Sequence, residues 1–237
     1  MKTFNRYLKR AKYIIRVRLR FLLTGSATKQ KIIDRFHSLY YDSHILGKTW
    51  SHTTFLGTPI QKNPLDLFVY QEILYDVKPD LIIETGTAYG GGAIYLASLC
   101  DLMKRGHIVT IDIINVRRSP KHKRIKYLLG SSTDKKIVEQ VKNISKGKKV
   151  LVILDSDHTK EHVLKELDVY RKLVSRGSYI IVEDSNVNGN PVYKEHGPGP
   201  MEAVKEFLKT HKGFRVDKSK EKFYFTFNPG GYLKKVR

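Results

Sequence analysis

LIIETGTAYGGG, residues 81–92, decides the fold of this 237-residue chain. Five residues typical of a buried strand lead into a turn of small residues, and the turn leads into an apolar helical pattern. The small residues let the backbone approach a ligand, and the helix that follows offers an N-terminus that favours negative groups. A strand, a glycine-rich turn and a helix in this order indicate the first unit of a nucleotide-binding sheet, although the turn alone is a weak signal.

The chain downstream of this stretch repeats the same alternation. Strands are predicted at 81–85, 108–112, 124–130, 149–155 and 178–184, and helices near 91–103, 134–144, 160–174 and 200–211. Strands that alternate with helices form parallel βαβ units. GFRV and KFYFTF near the end predict a closing hairpin, so we expect a Rossmann-like, mostly parallel seven-stranded sheet with a C-terminal β-hairpin.

The residues at the strand ends indicate a nucleoside cofactor, because ligands of open parallel sheets bind at the carboxyl ends of the strands. Asp112 is placed to accept the ribose hydroxyls, and the serines after the third strand to line an adenine edge. The first turn departs from Gly-x-Gly-x-x-Gly, which disfavours NAD, and Glu84 before it suits a sulfonium ligand. The prediction is S-adenosylmethionine bound by Glu84, Gly86, Thr87, Tyr89, Gly90, Gly91, Asp112, Ser131, Ser132 and Asp155.

Carboxylates also follow the fourth and fifth strands. LDSDH supplies Asp155 and Asp157, and VEDS supplies Glu183 and Asp184, in a protein with 44 basic and 23 acidic residues. Like charges brought together are costly without a cation, and oxygen ligands in this number suit Mg²⁺. The four residues are therefore predicted metal ligands. The alternative is that Asp155 and Glu183 only cap the segments after them.

HTKEH, residues 158–162, overlaps this cluster and matches the inverted zinc-protease motif H-x-x-E-H. That motif requires both histidines on one face well inside a helix. His158 directly follows a strand, so the predicted geometry disfavours a zinc site here, and His162 is interpreted as an ordinary helix residue.

Three segments resemble one known family closely. ETGTAYGGGAIYLA, LDSDHTKEHVLKELDVYRKLVSRGSYIIVEDSNVNG and FTFNPGGYL are similar to the cephalosporin hydroxylase and rhamnosyl O-methyltransferase family, over about two-thirds of the chain. The resemblance implies a class I methyltransferase fold, S-adenosylmethionine and a Mg²⁺ site. More distantly, the pattern is similar to catechol O-methyltransferases, which implies Asp155, Glu183 and Asp184 as metal ligands and His158 as the base. Within the closer family, Asp157 is an alternative ligand, which leaves Asp155 to contact the cofactor amine.

The predicted function is S-adenosylmethionine- and Mg²⁺-dependent O-methylation of a small molecule or sugar, with His158 and Asp155 as catalytic residues. A hydroxyl of a lipid-linked glycan is the first expected acceptor, and an antibiotic scaffold or other small metabolite the next. The long polar loop 185–199 is expected to fold over the substrate. The alternatives are a membrane-associated cofactor-binding module without catalysis and a nucleic-acid methyltransferase. Nucleic acid is the less expected partner, since the Asn-Pro-Pro-aromatic motif of amine methylation is absent from the sequence.

The N-terminal part of the chain differs in composition from the rest. Residues 1–24 carry eight Lys or Arg and no acid, spaced between apolar residues at helical steps, within a net charge of +21. We divide the chain into a basic amphipathic helix (1–27), a helical cap or lid region (28–78) and the cofactor-binding domain (79–237). The first helix is expected to pack on the protein body or a second subunit, as in a homo-oligomer, or to lie on an anionic membrane. The single Cys100 and the lack of a long apolar run predict a cytoplasmic protein, with peripheral membrane contact as the alternative.

Overall fold

The computed structural model describes residues 2–115 and 119–237, without the side chains of residues 2–6 and 8. Seven α-helices occur in these ranges: α1 (Lys2–Leu23), α2 (Ser26–Asp42), α3 (Pro64–Val77), α4 (Gly91–Leu102), α5 (Lys135–Ser145), α6 (Lys160–Tyr170) and α7 (Pro200–Thr210). Nine strands accompany them: β1 (Thr54–Phe55), β2 (Thr58–Pro59), β3 (Leu81–Thr85), β4 (His107–Asp112), β5 (Ile125–Leu129), β6 (Val150–Leu154), β7 (Tyr179–Val182), β8 (Phe214–Val216) and β9 (Tyr232–Lys235).

Seven of these strands form one sheet in the order β5-β4-β3-β6-β7-β9-β8. β5, β4, β3, β6 and β7 are parallel, and β9 runs antiparallel to both β7 and β8. The chain leaves β3 toward one edge and returns beside it through β6, so the strand order reverses between these two strands. The predicted Rossmann-like fold with a mostly parallel seven-stranded sheet and a C-terminal hairpin is confirmed.

Helices cover both faces of the sheet. Side chains of α5, α6 and α7 form one apolar cluster with β3, β6 and β7, centred on residues such as Val141, Leu167 and Phe207. Side chains of α3 and α4 form the cluster on the opposite face, which includes Tyr70, Ile73 and Leu96. β3, β6 and β7 are buried along their whole length, as expected for parallel strands that are covered twice. Their rigid frame holds the loops at the carboxyl edge.

The C-terminal hairpin is built from a different segment than the sequence indicated. Its second strand is Tyr232–Lys235 in GGYLKKV, and KFYFTF (222–227) forms no strand. The aromatic alternation of KFYFTF has another cause, because Phe225 and Phe227 are buried against α2. The His37 ring of α2 stacks on Phe227 with 5.7 Å between centroids and meets Phe225 edge-on at 4.7 Å. The prediction of KFYFTF as a strand was wrong, because aromatic residues serve a packed loop as well as a pleated strand.

The N-terminal part of the chain forms two helices. α2 is tied to the rest of the molecule through the aromatic contacts of His37 and through a 3.0 Å hydrogen bond between Nε2 of His37 and Nδ2 of Asn186. α1 precedes it and leaves large apolar side chains exposed, among them Leu22 and Leu23. No helix within residues 2–115 and 119–237 combines the length and the apolar composition that a bilayer span requires.

Candidate active site

The acidic side chains of the site stand at one edge of the sheet, where four parallel strands end. Glu84 lies in β3, Asp112 ends β4, Asp155 follows β6, and Glu183 and Asp184 follow β7. The backbone ladder continues beyond the strands, since the Asp155 amide donates to the Thr85 carbonyl (3.0 Å) and the Glu183 amide to the Leu154 carbonyl (2.9 Å). The strand framework therefore determines how these side chains are spaced.

Two neighbouring cavities open at this edge. The first, called the acidic cavity below, has a volume of about 400 Å³ and includes in its lining Lys62, Glu84, Gly86, Thr87, Tyr89, Gly91, Asp155, His158 and Asp184. The second, the serine cavity, has about 470 Å³ and includes Gly86, Asp112, Ser131, Ser132, Asp155, Asp157 and His162. Gly86 and Asp155 line both cavities, so the two cavities are direct neighbours.

Asp155, His158 and Asp184 meet in the acidic cavity. The His158 ring lies between the two carboxylates, with Nε2 at 3.3 Å from Oδ1 of Asp155 and Nδ1 at 3.4 Å from Oδ2 of Asp184. Three potential ligand atoms from these residues lie within 4.8 Å of one another. Two facing carboxylates provide the hard oxygen donors that Mg²⁺ prefers, so these residues fit a divalent cation.

Asp184 reaches this position through a backbone conformation that L-residues rarely adopt. Its φ is +50°, in the left-handed region, and its amide donates to Oδ1 of Asn228 at 3.1 Å. Asn228 is buried and donates from Nδ2 to the Tyr70 hydroxyl at 2.9 Å. Strained conformations of this kind persist where the surroundings hold them, and they concentrate at functional sites. The sequence FTFN near the C-terminus thus helps to hold the Asp184 backbone.

Glu183, the neighbour of Asp184, belongs to a buried ion pair that also includes Asp155 of the trio. The ammonium of Lys62 contacts Oε1 of Glu183 at 2.6 Å and Oδ2 of Asp155 at 2.5 Å. Lys62 is 8% exposed and Glu183 is 6% exposed. Among the described residues that line the acidic cavity, Lys62 supplies the one ammonium group. Sequence reasoning missed this residue, which lies in the loop before α3, and no local pattern marks it.

The ion pair and the trio shift the pKa values of their members. Although burial opposes the change, Lys62 and His158 lower the pKa of Asp155. Burial, and then the charge of Asp155, raises the pKa of Glu183. Asp184 and Asp155 raise the pKa of His158 to about 9, again against the effect of burial. In the absence of another cation, the imidazole is therefore held in its charged form between the two carboxylates.

Glu84 and the glycines of the first turn form the wall between the strands and the cavity. Glu84 is buried and accepts a 2.7 Å hydrogen bond from the Thr110 hydroxyl, and burial raises its pKa to about 7. Gly86 has φ +86°, and a Cβ there would come within 1.7 Å of the Asp155 carbonyl oxygen. At Gly91 a Cβ would come within 2.1 Å of the Pro59 carbonyl oxygen. The glycines thus also make room for Asp155 and for the loop that carries Lys62.

The serine cavity contains the side chains predicted to hold a nucleoside. Oδ2 of Asp112 accepts hydrogen bonds from the Thr87 and Ala88 amides, both at 2.9 Å, and Oδ1 accepts from the Ile114 amide at 2.9 Å. Asp112 therefore organises the glycine-rich turn from the adjacent strand. The assignment of this residue to the ribose stays a prediction.

Asp157 and His162 belong to the serine cavity and not to the acidic trio. Oδ1 of Asp157 accepts from the Thr159 amide at 2.8 Å, and Nε2 of His162 lies 3.1 Å from the Ser132 hydroxyl. The two histidines of the H-x-x-E-H pattern accordingly line different cavities, because His158 precedes α6 and His162 lies within it. The structure does not bring them together as a zinc pair. Asp157 stays an alternative metal ligand by prediction.

Aromatic rings form the outer wall of the acidic cavity. Tyr41 of α2 stacks on Trp50, with 5.3 Å between ring centroids, and Tyr89 and Tyr193 complete the wall. Tyr193 and His196 come from the loop 185–199, which was predicted to fold over a substrate, and Val187 of the same loop also lines the cavity. The wall places apolar faces opposite the charged groups at the strand ends.

Comparisons with known proteins show what this chain is similar to. A sequence profile described as Rhamnosyl O-methyltransferase/CmcI matches residues 47–236. The rhamnosyl O-methyltransferase of Mycobacterium tuberculosis (strain ATCC 25618 / H37Rv) is 37% identical over 211 residues, covering 85% of this chain and 84% of that protein. CmcI-D160 with Mg and SAM is similar in structure, with a TM-score of 0.62 at 20% identity, covering 80% of this chain and 79% of that chain. MycE methyltransferase from the mycinamycin biosynthetic pathway, in complex with Mg, SAH and mycinamycin VI, gives a TM-score of 0.51 at 17% identity, covering 71% and 48%.

Proposed function

Because the chain belongs to the rhamnosyl O-methyltransferase/CmcI family, we propose that it transfers the methyl group of S-adenosylmethionine to a hydroxyl of a saccharide. The single observation that supports this most is that two neighbouring cavities share Gly86 and Asp155 in their linings. The serine cavity would hold the nucleoside of the cofactor, and the residues of the acidic cavity would face its sulfonium. The acceptor then enters the acidic cavity from the aromatic side.

The charge of the acidic cavity supports a cationic cofactor and a divalent ion together. Glu84, Asp155 and Asp184 line the cavity, Glu183 shares Lys62 with Asp155, and Lys62 supplies the one ammonium group among the described lining residues. Without a further cation, burial raises the pKa of Glu84 and of Glu183. A sulfonium and a Mg²⁺ ion would favour the ionised form of these carboxyl groups, so the excess of acidic groups supports both ligands.

Asp155 and Asp184 are the residues that would hold the Mg²⁺ ion, with Glu183 as a further carboxylate beside them. The ion would act as a Lewis acid toward the acceptor hydroxyl and stabilise the charge that develops on its oxygen. Carboxylate donors and open positions for water and substrate are the usual environment of Mg²⁺ in proteins.

The residues of the chain itself bind, orient and deprotonate the acceptor. The acceptor oxygen takes the methyl group, the electrons of the S–CH₃ bond stay on sulfur in S-adenosylhomocysteine, and the hydroxyl proton passes to the imidazole of His158. Tyr41 and Trp50 offer aromatic faces on which the C–H face of a sugar ring can pack. The loop 185–199, through Val187 and Tyr193, restricts the access of water to the reacting atoms.

The test uses the full chain with labelled S-adenosylmethionine, Mg²⁺ and methyl α-rhamnoside as a simple rhamnosyl acceptor. We expect methylated sugar to form, and Asp184→Asn to abolish its formation while S-adenosylhomocysteine still binds in calorimetry. EDTA should stop the reaction because it removes the metal ion, and excess Mg²⁺ should restore it. Zinc should be a poor substitute, because the expected ligands are oxygen atoms. Cofactor binding without transfer to any sugar would contradict the saccharide acceptor, and absence of cofactor binding would contradict the enzyme.

We also propose that α1 places the enzyme on an anionic lipid surface. Ile15 and Leu19 are four residues apart, Leu22 and Leu23 lie three and four residues beyond Leu19, and all four are exposed, the last two by 80% and 84%. Basic side chains such as Lys12 and Arg16 flank this apolar row. A second copy of the chain is a poor partner for it, because residues 1–24 carry eight basic residues and no acid, within a net charge of +21. Nucleic acid would leave the apolar row without a partner, so lipid fits both features.

Sedimentation with vesicles distinguishes these partners. The full chain should bind phosphatidylcholine vesicles that contain phosphatidylglycerol, should bind pure phosphatidylcholine less, and should be released as salt rises. Leu19→Gln should weaken this binding, whereas Leu102→Gln, which changes an even more exposed leucine outside α1, should not. A dimer that is dispersed by Leu19→Gln, without vesicle binding by the wild type, would show that a second copy covers α1 instead.

A further inference from the structure

Lys62 is the residue of the acidic cavity that the proposed reaction does not use. Its ammonium bridges Asp155 and Glu183 at 2.5 and 2.6 Å, and these carboxylates are 93 and 121 residues away along the chain. Side chains with a net charge are almost never fully buried unless they are paired. The two carboxylates compensate the cost of burying the Lys62 ammonium, and the ammonium in turn compensates the cost of burying the carboxylates.

The surroundings of Lys62 are built to keep it there. A Cβ on Gly92 would lie 3.1 Å from Cε of Lys62 and 2.4 Å from Oε1 of Glu84, so the glycine leaves space for both side chains. The next residue, Asn63, caps α3 by accepting from the Leu65 amide at 3.1 Å, which fixes the backbone beside Lys62. Asp66, one helical turn further, anchors α3 through the Phe227 amide at 2.8 Å and the Tyr232 hydroxyl at 2.8 Å. These hydrogen bonds fix the start of α3, and with it the backbone position from which Lys62 extends.

The position of the ammonium conflicts with full occupation of the site by a metal ion. Asp155 belongs both to the Lys62 ion pair and to the trio that can hold a divalent cation. Two cations that share one carboxylate at such short range repel each other strongly in a site with little water. Each of them therefore weakens the binding of the other.

We propose that Lys62 is the internal counter-ion of the metal-free site, and that it competes with Mg²⁺ for Asp155 and Glu183. The lysine keeps the carboxylates together when no divalent ion is bound, and it yields at least one of them when the ion enters. It is thus a positioning residue, which sets how tightly the ion binds and how stable the protein is without it. This proposal rests on the Mg²⁺ site of the proposed function.

The test compares Lys62→Met with the wild-type chain in two measurements that do not require turnover. Without metal, the variant should unfold about 10 °C lower, because removing one partner of a buried ion pair leaves uncompensated charge. In calorimetric titration with MgCl₂, the variant should bind Mg²⁺ about tenfold more tightly or better, because a repelling charge has been removed. Saturating Mg²⁺ should then restore much of the lost thermal stability.

Lys222→Met is the matched control, because it removes one positive charge and one ion pair, with Glu72, and neither residue lines the acidic cavity. Its affinity for Mg²⁺ should equal that of the wild type. Should Lys62→Met fail to fold, Lys62→Gln, whose amide can donate to one carboxylate, should show the same direction of both effects. Equal or weaker Mg²⁺ binding by the Lys62 variants, with normal binding by the wild type, would overturn this proposal alone. Absence of Mg²⁺ binding in all of these proteins would overturn the metal site as well.

Discussion

The protonation of His158 depends on which other cation occupies the acidic cavity. It lies between Asp155 and Asp184, and in the absence of another cation these carboxylates favour its charged form. A base must be neutral before it takes a proton, so the proposed role requires that a cation occupy the two carboxylates. The histidine and its acidic neighbours therefore act as one unit.

Replacing His158 by Ala should lower methyl transfer by about 10²- to 10⁴-fold, the usual contribution of a general base. The affinity for S-adenosylhomocysteine should change little, because His158 lies in the acidic cavity and not in the serine cavity. Single-turnover transfer to methyl α-rhamnoside and calorimetry measure the two effects. His107→Ala is the control, because His107 is exposed at the start of β4, whose other end carries Asp112. A loss of transfer in this control as large as that of His158→Ala would contradict a specific role of His158.

Asp112 should affect the affinity for the cofactor and not the affinity for the metal ion. Its carboxylate binds the Thr87 and Ala88 amides and faces the serine cavity. We expect Asp112→Ala to weaken binding of S-adenosylhomocysteine about 10- to 100-fold, the size of lost hydrogen bonds to a charged group. Asp134→Ala is the matched control, since Asp134 also binds backbone amides as the cap of α5 but does not line either cavity. Equal losses in the two variants would indicate general destabilisation.

Among the elements, α2 is attached to the rest of the fold through a buried histidine. His37 is 3% exposed, and burial lowers its pKa to about 4 from an ordinary value of 6.5. The unfolded chain therefore takes up a proton before the folded chain does as the pH falls. The stability that His37 contributes is complete above about pH 6.5 and is lost as the pH falls toward 4.

This linkage gives an expected outcome for the docking of α2. Between pH 7.5 and pH 5 the wild type should lose about 2 kcal/mol more unfolding free energy than His37→Gln, whose amide does not titrate. The comparison with the variant is needed because Asp66, whose pKa burial raises to about 6, changes stability in the opposite direction. Urea unfolding at the two pH values measures the difference. Parallel losses in the two proteins would show that His37 is protonated without cost in the folded state.

At the scale of the whole molecule, no described residue of α1 contributes to the lining of the two cavities. The described residues that line the acidic and serine cavities begin with Tyr41 in α2, and none of them comes from α1. A chain that begins at Gly25 should therefore fold and bind S-adenosylhomocysteine with unchanged affinity. A chain that begins at Thr53 should not, because it lacks α2, Tyr41 and Trp50. Loss of cofactor binding in the chain that begins at Gly25 would show that the cofactor site requires α1.

Much of this architecture could be predicted from the sequence, because its signals are local. Apolar runs of five residues that alternate with helical periods specify parallel βαβ units, and parallel strands bring their last residues to one edge. The placement of Glu84, Asp112, Asp155, Glu183 and Asp184 at that edge follows from each residue's position at or just after a strand end. Family resemblance added the chemistry of the cofactor and the expected metal.

Tertiary structure alone decided which of these side chains face each other. Asp155 lines both cavities and Asp157 only the serine cavity, which depends on how the chain turns after β6. The pairing of Glu183 with Lys62 joins residues 121 positions apart. KFYFTF shows the same limit, since its aromatic pattern suits a strand, yet its rings pack on α2. A sequence pattern records the local preference of a segment for helix or strand. The partner of a charged or aromatic side chain is set by packing between distant segments, and burial makes that choice energetically decisive.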